Sequence, residues 1–230
     1  MIRLHFVVEG QTEEGFVNQV LANHLGHFGV SADARCVETS RRKATIYRGG
    51  VIDYRRVRLD LGLWMREDQR EDAYFTTMID LYGLPTDFPG YLAASATAGA
   101  RVRVAALEQA FADDIAHPRF VPHIQLHEFE ALILAGPRAL DWEFPEHEPA
   151  IDRLVLLASG YKSPECIDDG PDTAPSKRIM QQIPAYIGRK ASAGPLVVGR
   201  IGLAAVRYSC PHFDAWVSRL QALGEQGARL

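Results

Sequence analysis

The chain has 230 residues, 47% of them hydrophobic and 23% charged, with a formal net charge of −4. This is ordinary usage for a folded domain, and it excludes a disordered, fibrous or low-complexity chain. The length holds one large domain, or one with an appendage, and excludes two full enzymes. At this size roughly 70% of the unfolded surface is buried, so the core needs no covalent staple.

Cys36, Cys166 and Cys210 are odd in number and widely spaced, which argues against a disulfide framework and a cysteine zinc site. The start has too short an apolar run for a signal-peptide core, and no window approaches the roughly 20 apolar residues of a membrane span. The expectation is a cytoplasmic protein.

In chain order, Ile2 to Val8 reads as a buried strand, and the helical spacing of Phe16, Val17, Val20, Leu21 and Leu25 predicts a helix over Thr12 to His24. Thr12 is its expected cap, and Glu13 reads as a first-turn acid. Val30 to Val37 is a second strand, Glu38 to Gly50 a basic loop and Val51 to Met65 a helix. Ala73 to Asp80 is a third strand closed by a turn at Tyr82 to Pro85. Val102 to Ile115 is a helix and Phe120 to Leu126 a fourth strand. Helices are expected near Ala150 to Ser159, Ser176 to Ile183, Gly199 to Tyr208 and Phe213 to Leu223, with a loop from Ser163 to Pro175.

Strand and helix alternate over residues 1–135, which predicts an α/β core with a mostly parallel four-stranded sheet covered by helices. Residues 136–230 break the rhythm and read as a helical cap packed on that core rather than an independent domain. Cys210 and Trp216, in the last segment, read as structural.

Ligands of parallel sheets bind at the carboxyl ends of the strands, and here three of four strands end in acids. Glu9 follows the first strand, Asp80 ends the third, and Glu128 and Glu130 follow the fourth. His127-Glu128-Phe129-Glu130 is not HExxH, because no second histidine falls four residues after the first. Glu128 is the expected ligand, with Glu130 either a second ligand or a first-turn acid. Three acids on separate strands, with no thiol or paired histidines, select a hard cation such as Mg²⁺ or Mn²⁺, an arrangement suited to phosphoryl chemistry.

Charge is segregated along the chain. Residues 41–58 carry seven basic residues, including Arg41, Arg42 and Lys43, against Asp53 alone. Residues 173–213 contain no acid but carry Lys177, Arg178 and Arg207, and residues 128–172 hold eleven acids against three bases. Both basic segments are candidates for phosphate contact, since such contacts need local rather than global positive charge; a solvated or ion-paired face is the alternative. Lys177 and Arg178 follow Pro175 and Ser176 at an expected helix start, a position suited to an anion. No P-loop, dinucleotide fingerprint or GxSxG elbow is present.

Taken together, EGQTE at 9–13, DLYG at 80–83, HEFEAL at 127–132, PECIDDGPDTAPSKR at 164–178 and IGLAAVRYSCPHFDAW at 201–216 resemble the domain-of-unknown-function family 4276 over nearly the whole chain. That family is regarded as Toprim-like, similar in its sheet to primases, topoisomerases and overcoming-lysogenisation nucleases. Its members are often found beside ABC- or SMC-like ATPases in bacterial anti-phage systems.

The resemblance implies that Glu9 acts as acid-base group or metal ligand and Asp80 as metal ligand. Where a Toprim DxD is expected, position 82 is tyrosine, so a second metal would draw on Glu128, Glu130 or another acid.

The resulting expectation is a Mg²⁺- or Mn²⁺-dependent nuclease. Glu9, Asp80 and Glu128 form its catalytic site, Glu130 is a further ligand, and Arg41, Arg42, Lys43, Lys177, Arg178 and Arg207 contact DNA or RNA. The alternatives are a non-catalytic partner of an ATPase and a small-molecule phosphoesterase. A second copy of the chain is a further partner left open.

Overall fold

The structure is a computed structural model that describes residues 1–42, 45–48, 53–97, 99–167 and 172–227. Its centre is a parallel sheet in the order β2-β1-β5-β6, with β7 also pairing β5. The strands are β1 (Ile2–Val8), β2 (Val30–Cys36), β5 (Ala73–Asp80), β6 (Phe120–Val121) and β7 (Ile124–Gln125), while β3 (Glu38–Arg42) and β4 (Thr45–Arg48) form a separate antiparallel pair. The expected parallel sheet flanked by helices is the observed architecture.

The period-2 pattern of the central strands divides the core in two. Val7, Phe75 and Ile79 face α3 (Tyr54–Glu67), α4 (Tyr91–Ser95) and α5 (Ala100–Ile115), where Val57, Leu61, Trp64, Ala94, Val104, Leu107 and Phe111 are buried with them. Leu4, Phe6 and Val8 face the other way. They join Phe16 of α1 (Gln11–Phe16), Val17 and Leu21 of the π-helical turn Val17–Leu21, and Leu25 of α2 (Ala22–Gly26).

The same cluster takes in the second half of the chain. Its members include Ile151 and Leu154 of α7 (Glu148–Ser159), Ile179 of α8 (Pro175–Gln182) and Val197 of α9 (Lys190–Ile201). Val206 of α10 (Leu203–Ser209) and Phe213, Trp216, Val217 and Leu220 of α11 (Pro211–Gly227) complete it. Each such side chain contributes about 1.5–3 kcal/mol when fully removed from water, so residues 136–227 supply one wall of the core.

Four local readings are corrected. The expected loop after β2 contains the β3–β4 pair, and the expected fourth strand is two short pieces. Pro122 has no N–H for the ladder, and the backbone of His123 pairs instead with the Thr77 hydroxyl, which accepts from His123 N at 3.1 Å and donates to His123 O at 2.8 Å.

The N-cap of α1 is Gly10 rather than Thr12. The helix expected at Gly199 to Tyr208 is instead α9 followed by α10, with the break at Gly202, whose φ of 84° suits glycine. Pro195 lies within α9 and masks the helix from a pattern-based reading.

Candidate functional site

β1, β5 and β7 run parallel, so their carboxyl ends lie along one edge of the sheet. Glu9, directly after β1, accepts a hydrogen bond on Oε2 from the backbone N–H of Asp80, the last residue of β5, at 3.0 Å. The N–H of Tyr82 donates to His127 O at 3.0 Å, tying the turn after β5 to the segment after β7. His127 takes φ 62°, a left-handed conformation costly for a non-glycine residue; it turns the chain from β7 into α6 (Glu130–Ile133).

Glu128 and Glu130 therefore leave that turn in different directions. Glu128 Oε2 accepts from Ser176 N at 2.8 Å in the first turn of α8. Glu130 is buried and meets Lys190 Nζ at 3.0 Å and the Tyr186 hydroxyl at 3.1 Å through Oε1. Glu13 is 5% exposed, so it is no simple surface helix acid; its Oε2 accepts from Gly10 N at 2.9 Å.

Glu9, Glu13, Asp80, Glu128 and Glu130 form one electrostatic group. Burial is the largest influence on Glu9, Glu13, Asp80 and Glu130, raising each, and neighbouring carboxylates add to it. Glu9 is pushed up to about 7, with Glu128 and Glu130 raising it and the Asp80 N–H and Lys190 opposing. Glu13 is pushed up to about 8, with Glu9 the leading charged neighbour. Asp80 is held well above the usual aspartate range by burial and then by Glu9, Glu13, Glu130 and Glu128. Burial raises Glu130, with Lys190 opposing. Protons thus occupy part of this site near neutral pH unless a cation replaces them.

Among the described residues Asp80 Oδ1 is buried without a hydrogen-bond partner, a costly condition for a carboxylate oxygen that a cation would relieve. The donor set is entirely oxygen, the type suited to Mg²⁺ or Mn²⁺; among the described residues these carboxylates are not in a group whose ligand atoms lie within 4.8 Å of one another.

Lys190 was not singled out in the sequence. It begins α9, whose approach to α1 depends on small residues. A Cβ on Gly194 would lie 3.1 Å from both Phe129 and Thr12 side-chain carbons, and one on Gly15 would lie 3.1 Å from Pro195. This close packing sets the lysine against Glu130.

The basic candidates divide. Lys177 is exposed and Arg178 half-buried in the first turn of α8, adjoining the Glu128 contact; Arg178 Nε donates to Thr173 O at 2.8 Å. Arg207 is not gathered with the acids but bonds Asp214 at 2.5 Å and Ser218 at 2.9 Å. Arg41 and Arg42 lie on β3, after the same carboxyl edge of β2, while Lys43 lies outside the described residues. Asp168, Asp169, Gly170 and Pro171 of the 164–178 motif are likewise outside them.

The family model for a domain of unknown function (DUF4276) matches residues 8–221. No curated protein and no solved structure matches the chain. Among the described residues, no helix is long and apolar enough to cross a membrane.

Proposed function

The chain belongs to the DUF4276 family, and from that premise we propose that it is a Toprim-like, Mg²⁺- or Mn²⁺-dependent nuclease hydrolysing phosphodiester bonds of DNA or RNA in the cytoplasm. The observation that carries the reading is the electrostatic grouping of Glu9, Asp80, Glu128 and Glu130 around a buried Asp80 oxygen that has no hydrogen-bond partner among the described residues.

Asp80, Glu9 and Glu128 would hold the ion, with Glu130 beside them. When bound, the ion supplies an activated water and charge neutralisation at the leaving oxygen. Glu9, pushed up to about 7, can hold or release a proton near neutrality, as acid-base work requires. Lys190 neutralises Glu130 at 3.0 Å and keeps the deepest carboxylate from competing for a substrate-borne cation. The first turn of α8, with Lys177 and Arg178, provides positive charge for a phosphate beside the Glu128 contact. Arg41 and Arg42 supply further basic charge on the arm that follows β2. An ATPase of ABC or SMC type in an anti-phage complex is the proposed partner.

The test is cleavage of labelled DNA and RNA by purified protein with Mg²⁺, with Mn²⁺ and with EDTA, beside Asp80→Asn and Glu9→Gln. The proposal expects metal-dependent cleavage lost in both variants. Equal cleavage in wild type and variants removes the site. Turnover of mononucleotide esters alone would redirect it to small-molecule phosphoesters.

A further inference from the structure

A second cluster lies where α5 and α11 meet the β6–β7 edge, independent of the reading above. Glu108 from α5, His123 between β6 and β7, and His212 at the start of α11 each offer one ligand atom, and these three atoms lie within 4.8 Å of one another. Glu108 Oε1 is 3.1 Å from His212 Nε2 and 3.6 Å from His123 Nδ1. Ligands about 2.0–2.1 Å from a tetrahedral ion are separated by roughly 3.3 Å, and two imidazoles on such an ion place their ring centres roughly 5 Å apart. The His123 and His212 ring centres are 5.0 Å apart.

His123 supplies the independent pointer to a ligand. Its side chain is fully buried, and among the described residues neither ring nitrogen makes a well-formed hydrogen bond, the Gln125 side chain being the polar neighbour beside it. Metal ligation through Nδ1 would give this buried imidazole a strong partner in place of a poorly formed one.

The ring is held in place on every side. Its backbone is clamped by Thr77, and its face lies 3.9 Å from the Trp216 ring at 7°. Trp216 is itself anchored by Nε1 donating to Thr76 at 3.0 Å. Glu108 is oriented by Ile124 N at 2.9 Å, and His212 N donates to Glu165 at 3.0 Å. Such support is what a metal site requires of its surroundings.

We propose that Glu108, His123 and His212 bind a divalent transition-metal ion of the Zn²⁺ class, with a fourth position open to water. Two imidazoles and one carboxylate select such an ion over Mg²⁺. His212 Nε2, which lies 3.1 Å from both Glu108 Oε1 and Ile124 O, presents its lone pair once its proton leaves to solvent. The Glu108 and His212 side chains are each 15% exposed, giving the ion a path in. The ion would fasten α5 and α11 to the sheet edge.

The experiment titrates metal-free full-length protein with Co²⁺, read by visible ligand-field absorption, and with Zn²⁺, read by calorimetry. Wild type, His212→Gln, Glu108→Gln and Asp80→Asn are compared, with Mg²⁺ as competitor. The expected result is one equivalent of Co²⁺ with tetrahedral bands, displaced by Zn²⁺ but not by excess Mg²⁺. The bands persist in Asp80→Asn, and binding weakens at least about tenfold in the other two variants. The proposal is overturned by no bands in wild type, by unchanged binding in both His212→Gln and Glu108→Gln, or by loss of the bands in Asp80→Asn. Circular dichroism of each variant separates loss of a ligand from loss of the fold.

Discussion

The backbone N–H of Asp80 donates to the Glu9 carboxylate at 3.0 Å, so the last residue of one strand orients the acid that follows its neighbour. The bond is made by the main chain of Asp80, which leaves its side chain free for other work. Replacing the Asp80 carboxylate therefore spares the support of Glu9.

Asp80→Asn is accordingly expected to abolish metal-dependent cleavage, by at least about 10²-fold, while leaving the fold intact. Without metal, at pH 8, its melting temperature should equal or exceed that of wild type, because a buried carboxylate among like charges is removed. Each kcal/mol gained appears as about 2–4 °C. Scanning calorimetry in EDTA, with and without Mg²⁺, checks both halves: the Mg²⁺-induced rise seen in wild type should disappear.

The protein's stability should decline as the medium becomes alkaline in the absence of metal. Glu9 and Glu13 have folded-state values of about 7 and about 8, above the ordinary 4.5. A raised carboxylate binds its proton more tightly when folded. Its contribution is therefore fully present below the unfolded value and lost as pH rises through the folded one. The melting temperature in EDTA should fall from pH 5 to pH 9, and the fall should be smaller in a Glu9→Gln, Glu13→Gln double variant. His5, raised by its contacts with Asp33 and Asp68 against burial, contributes in the same direction, while His24, His117 and His123, lowered chiefly by burial, oppose it below neutrality; all four remain in the double variant. An equal slope in both proteins would contradict the assignment.

Lys190→Met removes the cation 3.0 Å from Glu130. The carboxylates should then titrate at still higher pH, shifting any cleavage profile toward alkaline values and reducing activity at neutral pH. Lys190→Arg should restore much of the profile. A pH series of initial rates distinguishes this from simple unfolding, which would lower the rate at every pH.

Gly194→Val should destabilise by about 1–3 kcal/mol through overpacking, since even a Cβ lies 3.1 Å from Phe129 and Thr12. Gly188→Ala, where an added Cβ meets nothing within 4 Å, serves as the control. Urea denaturation midpoints of the two variants report the difference.

Much of the scaffold was legible because buried parallel strands write continuous apolar runs: Ile2 to Val8 and Ala73 to Asp80 carry β1 and β5 from first residue to last. The acids at strand ends could be read for the same reason. Glu13 is the first-turn acid its position suggests, but that position gives no hint that its side chain is buried. Lys190 was hidden in a basic stretch whose members look alike until folding selects one. Glu108, His123 and His212 come from separate segments, and only the folding of α5 and α11 against the β6–β7 edge relates them. His123 escaped notice because its burial arises from Trp216 stacked on its ring and Thr77 holding its backbone, neither of which leaves a periodic signal.

Phe6, Phe16 and Val17 share a single buried cluster with Phe213, Trp216 and Val217, and this imposes a timetable on biosynthesis. When residue 135 leaves the ribosome, the partners of that sheet face remain untranslated, and at 5–20 residues per second Trp216 follows roughly 4–16 s later. Throughout that interval the nascent chain displays an uncovered apolar surface beside its carboxylates. Slowing elongation past residue 135 should therefore lengthen exposure to chaperones and lower soluble yield, even though every codon still specifies the same protein.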